Sequence, residues 1–288
     1  MINKKAYAKI NLTLELTGKL SNGYHSVCTL MHKISLCDDI KLSLNNSKSI
    51  SVKANLDLCD EKDNLAYRAA ALFLEAYNKQ HNTSHGADII ITKRIPAGAG
   101  LGGGSSDGAC VLDCLNELLH GFEQQQLEQF ASALGADVPF ALENHSFCYA
   151  TGTGTTLCDF KKITYPCHVA VIKPRIFCGT KDMYNYYDQN FRFSHANNTK
   201  DFIQSLTFPK SFEYCCNDFE KAAFSLYPDI KSIVQKLNSF NPYYAGMTGS
   251  GSAIFAIFEN KTQAELALEQ TQKEFFEITE NTFIEKFV

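Results

Sequence analysis

The sequence of 288 residues has no long apolar run, no surplus of basic charge and no C-x-x-C pair. A membrane-spanning helix needs about 20 apolar residues in a row, so we expect no membrane partner. Lys and Arg number 27 against 31 Asp and Glu, which leaves no excess positive charge for a nucleic-acid backbone and argues against that partner. The 11 cysteines show no metal-binding or redox spacing, so we expect reduced thiols in a cytoplasmic protein.

The marks of a disordered, collagen-like or coiled-coil chain are missing as well. The chain is 45% hydrophobic and 20% charged, which is ordinary for a folded protein. Residues 1–9 interrupt their apolar side chains with charge, so we expect no secretory signal. The length suggests roughly two domains, and a change of pattern near residue 155 predicts domains at 1–155 and 156–288.

Strand and helix patterns are both present. Residues 6–16 alternate between apolar and polar side chains, which predicts a strand with one buried face and with Lys9 and Asn11 on the other. Further strands are predicted at 40–44, 87–92, 169–172 and 253–258, and helices at 64–79, 105–119, 124–134, 199–206, 217–226, 228–238 and 262–275. The polar, Asn-rich residues 187–199 are predicted to form an exposed loop.

The strongest functional signal is a glycine-rich segment between a predicted strand and a predicted helix. It comprises Pro96, Ala97, Gly98, Ala99, Gly100, Leu101, Gly102, Gly103, Gly104, Ser105 and Ser106. Glycine lets the backbone adopt positive φ and approach a ligand closely, and the first amides of a helix have no partners within it. Together with the helix dipole these amides bind anions, and the two serine hydroxyls can bind phosphate oxygen or Mg²⁺. The segment therefore predicts a phosphate site.

Three familiar phosphate-binding motifs do not fit this segment. A dinucleotide-binding motif needs a following strand with an acidic residue about 20 residues on, and Glu117 here lies within the predicted helix. A P-loop needs G-K-[ST] after its glycines, and no lysine is present there. The protein-kinase glycine loop accompanies H-R-D and D-F-G motifs, which the sequence lacks.

The segment instead resembles the phosphate-binding motif of the galactokinase–homoserine kinase–mevalonate kinase–phosphomevalonate kinase (GHMP) superfamily, in its branch of 4-diphosphocytidyl-2-C-methyl-D-erythritol kinases. Other motifs of that branch occur in its order along nearly the whole chain. They are Ala8-Lys9-Ile10-Asn11-Leu12, Gly23-Tyr24-His25, Asp63-Asn64-Leu65, Gly135-Ala136-Asp137-Val138-Pro139, Asn217-Asp218-Phe219-Glu220 and Gly249-Ser250-Gly251. Most are weak singly, and their shared order makes the resemblance specific.

The resemblance implies an α+β, two-domain GHMP-kinase fold. Its N-terminal domain would be β-rich and bind the nucleotide, and its C-terminal α+β domain would hold an antiparallel sheet. The implied reaction is ATP-dependent phosphorylation of the 2-hydroxyl of 4-diphosphocytidyl-2-C-methyl-D-erythritol in the non-mevalonate route to isoprenoid precursors. Mg²⁺ would be bound through ATP, with no dedicated metal site. We expect a small-molecule substrate and a monomer or weak homodimer.

Two alternatives to this reaction stay open. The chain could be another small-molecule kinase, of homoserine or mevalonate type, or a catalytically inactive nucleotide-binding regulator. The Tyr24-His25 pair favours the 4-diphosphocytidyl-2-C-methyl-D-erythritol kinase reaction over those of the homoserine and mevalonate kinases. The presence of both Lys9 and Asp137 argues against an inactive protein.

The resemblance gives Lys9 and Asp137 the catalytic roles. Lys9 would offset charge on the transferring phosphoryl group, and Asp137, which would also contact the substrate, would accept the hydroxyl proton. From the residues alone, Lys9 also fits a solvated strand face, and Asp137 also fits the cap of the next short segment.

The same resemblance implies a cytosine site. Tyr24 would stack on the base and His25 would form a hydrogen bond with it, with Tyr184 as the second stacking ring. Asn11 and Thr180 would lie near the same substrate.

On the ATP side, Asn64 and Lys93 match positions near the adenosine, beside the glycine-rich segment. Two positions depart from the usual pattern of the family. Thr155 replaces an acidic residue, and Gly179 stands where a serine is common. These departures bear on details of the substrate contacts.

Overall fold

The computed structural model describes residues 1–56, 59–159, 165–193 and 197–288. Within these ranges the strands are β1 (Ile2–Lys19), β2 (His25–Asn45), β3 (Ile50–Ala54), β4 (Gly86–Thr92), β5 (Phe147–Thr151), β6 (Thr156–Asp159), β7 (His168–Pro174), β8 (Cys216–Asn217), β9 (Tyr244–Met247), β10 (Ile254–Phe258) and β11 (Thr279–Lys286). The helices are α1 (Leu65–His81), α2 (Gly103–Leu119), α3 (Gln124–Leu134), α4 (Val138–Leu142), α5 (Thr180–Asn190), α6 (Asn198–Ser205), α7 (Phe219–Leu226), α8 (Pro228–Asn238) and α9 (Lys261–Glu274). Short 3₁₀ helices span Glu61–Asp63 and Lys210–Tyr214.

Two compact units make up the chain, and each combines segments that are distant in sequence. The first unit comprises residues 1–8, 36–97 and 102–144, and the second comprises 9–35, 98–101 and 145–288. The long strands β1 and β2 each contribute residues to both units. The boundary near residue 155 stays a prediction.

In the first unit a sheet packs against helices. β4 pairs in parallel with β3 and antiparallel with the second half of β2, where Ile40 lies opposite Ile91. Alternate residues of β4 are buried, as expected of a strand with one face on a core. Apolar side chains of α1, α2 and α3 complete this core, which contains Phe73 and Leu112 among its fully buried members.

In the second unit a four-stranded antiparallel sheet has the order β11-β7-β10-β9. β7 and β10 are buried along nearly their whole length, because helices α5, α7, α8 and α9 contribute apolar side chains to one core with them. In the same unit, β8 pairs in parallel with β1, and β5 pairs antiparallel with β2 and β6. The antiparallel sheet and the α+β class implied by the resemblance are confirmed.

The alternating segment at 6–16 is a strand, as predicted, but the prediction that one of its faces is exposed was wrong. β1 is longer, and from Lys9 to Glu15 both of its faces are buried. The expectation of one exposed face was wrong because polar side chains such as Thr13 and Glu15 have hydrogen-bond partners in the second unit. A buried polar face of this kind is stable only when its groups are paired.

The exposed loop predicted at 187–199 was also wrong over most of its described length. α5 extends to Asn190, Tyr187 is fully buried, and α6 begins at Asn198; residues 194–196 lie outside the described ranges. Met183 and Tyr187 are four residues apart and form a narrow apolar face in an otherwise polar helix, so the periodic signal was weak.

Two findings bear on the composition. No helix within the described ranges is long and apolar enough to span a membrane. All 11 cysteines are free thiols, and several of them, including Cys37 and Cys114, are buried.

Candidate active site

The polar face of β1 is buried and internally hydrogen-bonded. Lys9 is only 5% exposed, and its Nζ donates to Asn11 Oδ1 at 2.7 Å. Asn11 Nδ2 donates to Thr29 Oγ1 at 2.9 Å, and Asn11 Oδ1 also accepts from Thr248 Oγ1 at 3.2 Å. The interpretation of Lys9 as a solvated side chain therefore does not hold. An ammonium in a fixed, desolvated position is what stabilisation of a developing charge requires.

Beside Lys9 lies the turn between β9 and β10, which contains Gly249-Ser250-Gly251; we call this sequence the third glycine motif. Thr248 in this turn accepts a hydrogen bond from the backbone of Asn11 at 3.0 Å. A Cβ on Gly249 would lie 3.5 Å from Lys9 Nζ and 3.1 Å from the carbonyl oxygen of Gly100. Glycine at position 249, with φ +58°, therefore lets two backbone turns and the lysine approach one another closely.

The motif Asn217-Asp218-Phe219-Glu220 supports this turn from behind. Asn217 Nδ2 donates to the carbonyl oxygens of Met247 and Gly249 at 2.8 and 2.9 Å. Glu220 accepts from the backbone of Met247 at 2.7 Å, and Asp218 accepts from the backbone of β1. These residues carry no reacting group, but they fix the strand and the turn that hold Lys9.

The first half of the glycine-rich segment belongs to the second unit and runs along these elements. The carbonyl oxygen of Leu101 accepts from the backbone of Lys9, and that of Ala99 accepts from Ala253, at 2.9 and 3.0 Å. Gly100 has φ +77°, and a Cβ there would collide with the backbone of the third glycine motif's turn. The segment thus follows a path that only glycine permits.

The second half of the glycine-rich segment begins α2 in the first unit. Gly102 precedes the helix with φ +71°, and the first helical hydrogen bond runs from Ser106 N to Gly102 O. The amides of the first three helical residues therefore lack partners within the helix and suit an anion. Ser106 Oγ donates its proton to the carbonyl oxygen of Tyr7 at 2.6 Å, which favours Ser105 as the hydroxyl that donates to phosphate.

Both residues predicted near the ATP adenosine have partners in the first unit. Asn64 accepts a hydrogen bond from Ala66 N and caps α1. Lys93 Nζ lies between the carboxylates of Asp38 and Asp107, at 2.5 and 2.7 Å, and all three side chains are almost fully buried. Burial opposes the charge on Lys93, but the two carboxylates raise its pKa. Contact of either residue with ATP stays a prediction.

Asp137 lies at the start of α4, directly before Val138-Pro139. Its side chain makes no capping hydrogen bond to this helix. The interpretation of Asp137 as a helix cap is therefore not supported, and its role as proton acceptor stays a prediction.

The side chains predicted to hold cytosine lie in the second unit. The His25 ring stacks on the Tyr184 ring, with centroids 4.2 Å apart and planes 15° apart. Tyr24 is 67% exposed, and Thr180 Oγ1 lies 2.9 Å from Ser250 Oγ in the third glycine motif. The structure thus brings His25 and Tyr184 together. Stacking of either tyrosine on a base stays a prediction.

The sequence did not predict two residues that lie close to His25, which are Asp188 and Lys19. Asp188 Oδ1 lies 2.7 Å from His25 Nε2, and Asp188 Oδ2 accepts from Lys19 Nζ at 2.5 Å. Asp188 follows Tyr184 by four residues, so it lies on the same face of α5. That spacing could have revealed it only if the helix itself had been predicted.

A glycine-rich helix start suits a phosphate, and a buried, hydrogen-bonded ammonium suits a developing negative charge, so these features fit an enzyme that transfers a phosphoryl group. Two family models match the chain: the N-terminal domain of GHMP kinases over residues 64–145 and the C-terminal domain of GHMP kinases over residues 207–277. The first range includes the glycine-rich segment and Asp137, and the second includes the third glycine motif.

Similar proteins and similar crystal structures identify the family within the GHMP kinases. The 4-diphosphocytidyl-2-C-methyl-D-erythritol kinase of Chlorobium phaeobacteroides (strain BS1) is 37% identical over 92% of both chains. A crystal structure of 4-(cytidine 5'-diphospho)-2C-methyl-D-erythritol kinase matches with a TM-score of 0.80 and 30% identity over 99% of both chains. Homoserine kinase from Cytophaga hutchinsonii, at 19% identity, 97% coverage of both chains and a TM-score of 0.70, shares the fold. The chain belongs to the 4-diphosphocytidyl-2-C-methyl-D-erythritol kinase family of the GHMP kinases.

Proposed function

We propose that the chain transfers the γ-phosphoryl group of ATP to the 2-hydroxyl of 4-diphosphocytidyl-2-C-methyl-D-erythritol, giving the 2-phosphate and ADP. The observation that carries this proposal is the similarity to kinases of that name over more than nine-tenths of both chains. The buried Lys9, the glycine turns and the His25–Tyr184 pair supply the parts that such a reaction needs.

Lys9 is the charged group of the proposed reaction. Asn11 fixes its ammonium, and the approach of Gly249 keeps bulk away from it. Phosphoryl transfer needs alignment and charge neutralisation more than covalent chemistry. Lys9 in this position would stabilise negative charge on the transferring group and on the attacking oxygen.

Asp137 is the proposed proton acceptor. A carboxylate can accept the substrate hydroxyl proton as the oxygen attacks the γ-phosphorus, with ADP as the leaving group. The side chain is half-buried at the start of α4, which is consistent with this role.

ATP would be bound by the start of α2, where unpartnered amides and Ser105 meet the phosphates. Mg²⁺ would arrive with the nucleotide and neutralise its β- and γ-phosphates. No cluster of three or more His, Cys, Asp or Glu side chains suited to a metal occurs in the part of the chain that the structure describes. Phosphate oxygens, water and the hydroxyl of Ser105 or Ser106 are oxygen ligands that suit Mg²⁺.

Partners and location complete the proposal. The net charge of −4 gives no basis for binding nucleic acid. We infer a cytoplasmic enzyme that acts on a small molecule, as a monomer or weak homodimer.

A coupled ADP-release assay tests the function. We expect Mg²⁺-dependent ADP release with 4-diphosphocytidyl-2-C-methyl-D-erythritol, and only background release with homoserine, mevalonate or no alcohol. Removal of Mg²⁺ by chelation should abolish the signal. Turnover of homoserine or mevalonate without turnover of the cytidine compound would support the other small-molecule kinases, and ATP binding without turnover of any alcohol would support an inactive regulator.

A further inference from the structure

His25 is clamped by two residues of one helix. Tyr184 and Asp188 are four residues apart on α5, so their side chains project from the same face. Tyr184 stacks on the imidazole ring, and Asp188 Oδ1 lies 2.7 Å from its Nε2. The side chain of His25 is only 8% exposed, and Phe193 contacts the ring from a second direction. The ring is therefore fixed in both plane and rotation.

The position of Asp188 is unfavourable for the helix alone. It lies in the last turn of α5, where the helix dipole disfavours a negative charge. Its two oxygens are instead used by Lys19 and His25, and both hydrogen bonds lower the pKa of the carboxyl, although partial burial opposes this. Asp188 is thus ionised near neutral pH and can only accept hydrogen bonds. The contacts explain why an acidic residue stands there.

An ionised Asp188 decides which nitrogen of His25 carries the proton. Because the carboxylate can only accept, Nε2 must donate. In the neutral imidazole, Nδ1 then keeps its lone pair and is a hydrogen-bond acceptor. No residue in the described ranges donates to Nδ1.

We propose that Asp188 is a positioning residue that fixes His25 as its Nε2–H tautomer and thereby makes the nucleotide site select cytosine over uracil. This inference rests on the proposed function. The exocyclic amine of cytosine is a donor and matches an acceptor at Nδ1. Uracil carries a carbonyl oxygen at that position, so two acceptors would face each other, which is costly where water is excluded.

Asp188→Asn tests the inference, because Asn has the same size but can either donate to or accept from Nε2. Turnover is measured with the cytidine substrate and with its uridine counterpart. We expect the kcat/KM ratio of cytidine to uridine substrate to fall at least about tenfold, the effect of one ordinary hydrogen bond. The KM for ATP should stay unchanged. Asp188→Ala, which removes all polar contact, should lower the ratio as well.

The matched control is Asp182→Asn, which removes the same charge from an exposed position of α5. It should leave the cytidine-to-uridine ratio unaltered. Long-range ¹H–¹⁵N NMR of His25 gives a readout independent of activity, because it distinguishes the two neutral tautomers and the imidazolium. We expect the Nε2–H tautomer in the wild type and a mixture in Asp188→Asn.

Two results would overturn the inference while leaving the function intact. One is a wild type that prefers cytidine and an Asp188→Asn variant with the same preference. The other is a wild-type His25 that is protonated on Nδ1 rather than on Nε2, or on both. A wild type that does not turn over the cytidine compound at all would instead overturn the proposed function, and the inference with it.

Discussion

At the scale of single residues, the proposed chemistry depends on one carboxylate, Asp137, and one ammonium, Lys9. Their environments differ. Lys9 is buried and hydrogen-bonded to Asn11, whereas Asp137 is half-buried at the start of α4, without a capping bond. Because Asn has the size of Asp but cannot accept a proton, a substitution at Asp137 can separate a proton-accepting role from a structural one.

We expect Asp137→Asn to lower kcat by about 10²- to 10⁴-fold, because Asn keeps the shape but cannot accept a proton. Both KM values should be largely kept, and the free energy of unfolding should change by about 1 kcal/mol or less, since Asn has nearly the size and shape of Asp and no cap of α4 is lost. Steady-state kinetics and urea unfolding measure the two effects. Glu123→Gln, at the exposed acidic residue that precedes α3 and likewise makes no capping bond, is the control and should change neither. A folded Asp137→Asn protein with near-normal kcat would remove Asp137 from the mechanism.

The sequence predicted Lys9 and Asn11 on one strand face but not their burial. The partners of Asn11 in the structure are Thr29 and Thr248, which lie 18 and 237 residues away in the sequence. Periodicity describes only which side chains share a face, and it contains no information on what distant segment covers that face. The resemblance to a family, rather than the pattern, identified Lys9 as functional.

At the scale of structural elements, α2 is held to its sheet by the ion pairs of Lys93. This residue follows β4, and its partners are Asp38 of β2 and Asp107 of α2. Burial raises the pKa of Asp107, and the Lys93 ammonium opposes that rise. The three residues thus form a buried group in which one cation balances two carboxyls at the base of the glycine-rich segment.

We expect Lys93→Met to destabilise the protein by about 3–5 kcal/mol, because it leaves two buried carboxyls without their cation. Urea unfolding measures this loss. Lys53→Met, at an exposed lysine of β3, is the control and should cost less than about 1 kcal/mol. If Lys93 acted only as an ATP contact, stability would stay near the wild-type value and the KM for ATP alone would rise.

Elements with a strong apolar period were predicted well, and those with a weak one were not. α1, α2, α3, α8 and α9 lie within a few residues of their predicted positions. α5 was missed, because its buried face consists of little more than Met183 and Tyr187 among Asn, Asp and Lys residues. Because α5 was not predicted, Asp188, which lies on it, was not identified as a site residue.

At the scale of the whole molecule, the order of the short motifs predicted the fold class. The motifs did not predict which strands pair with one another. β8 consists of two residues, and it pairs with β1 through Thr13 and Leu14. A strand so short has no periodicity to detect. Its pairing is nonetheless what brings Asn217 to the third glycine motif.

The pH dependence of the free energy of unfolding tests how Glu220 supports the third glycine motif. Burial raises the pKa of Glu220 to about 7, from an ordinary value of 4.5, although hydrogen bonds from Met247 N and the Tyr244 hydroxyl oppose the rise. Below pH 4.5 the carboxyl is protonated in both the folded and the unfolded chain. Between pH 4.5 and about 7 the unfolded chain releases this proton while the folded chain keeps it, so folding loses stability as the pH rises. The loss is complete above the folded pKa and amounts to at most about 3 kcal/mol.

Glu220→Gln should remove this dependence, because the amide does not titrate but can still accept from Met247 N. We expect the free energy of unfolding of the variant, relative to wild type, to increase steadily from about pH 5 to about pH 8 in urea titrations. Glu213→Gln changes an exposed glutamate nearby and should give a curve parallel to that of the wild type. Parallel curves for Glu220→Gln and the wild type would mean that Glu220 titrates alike in the folded and unfolded chains. Its contact with Met247 would then support the glycine motif without the burial of a protonated acid.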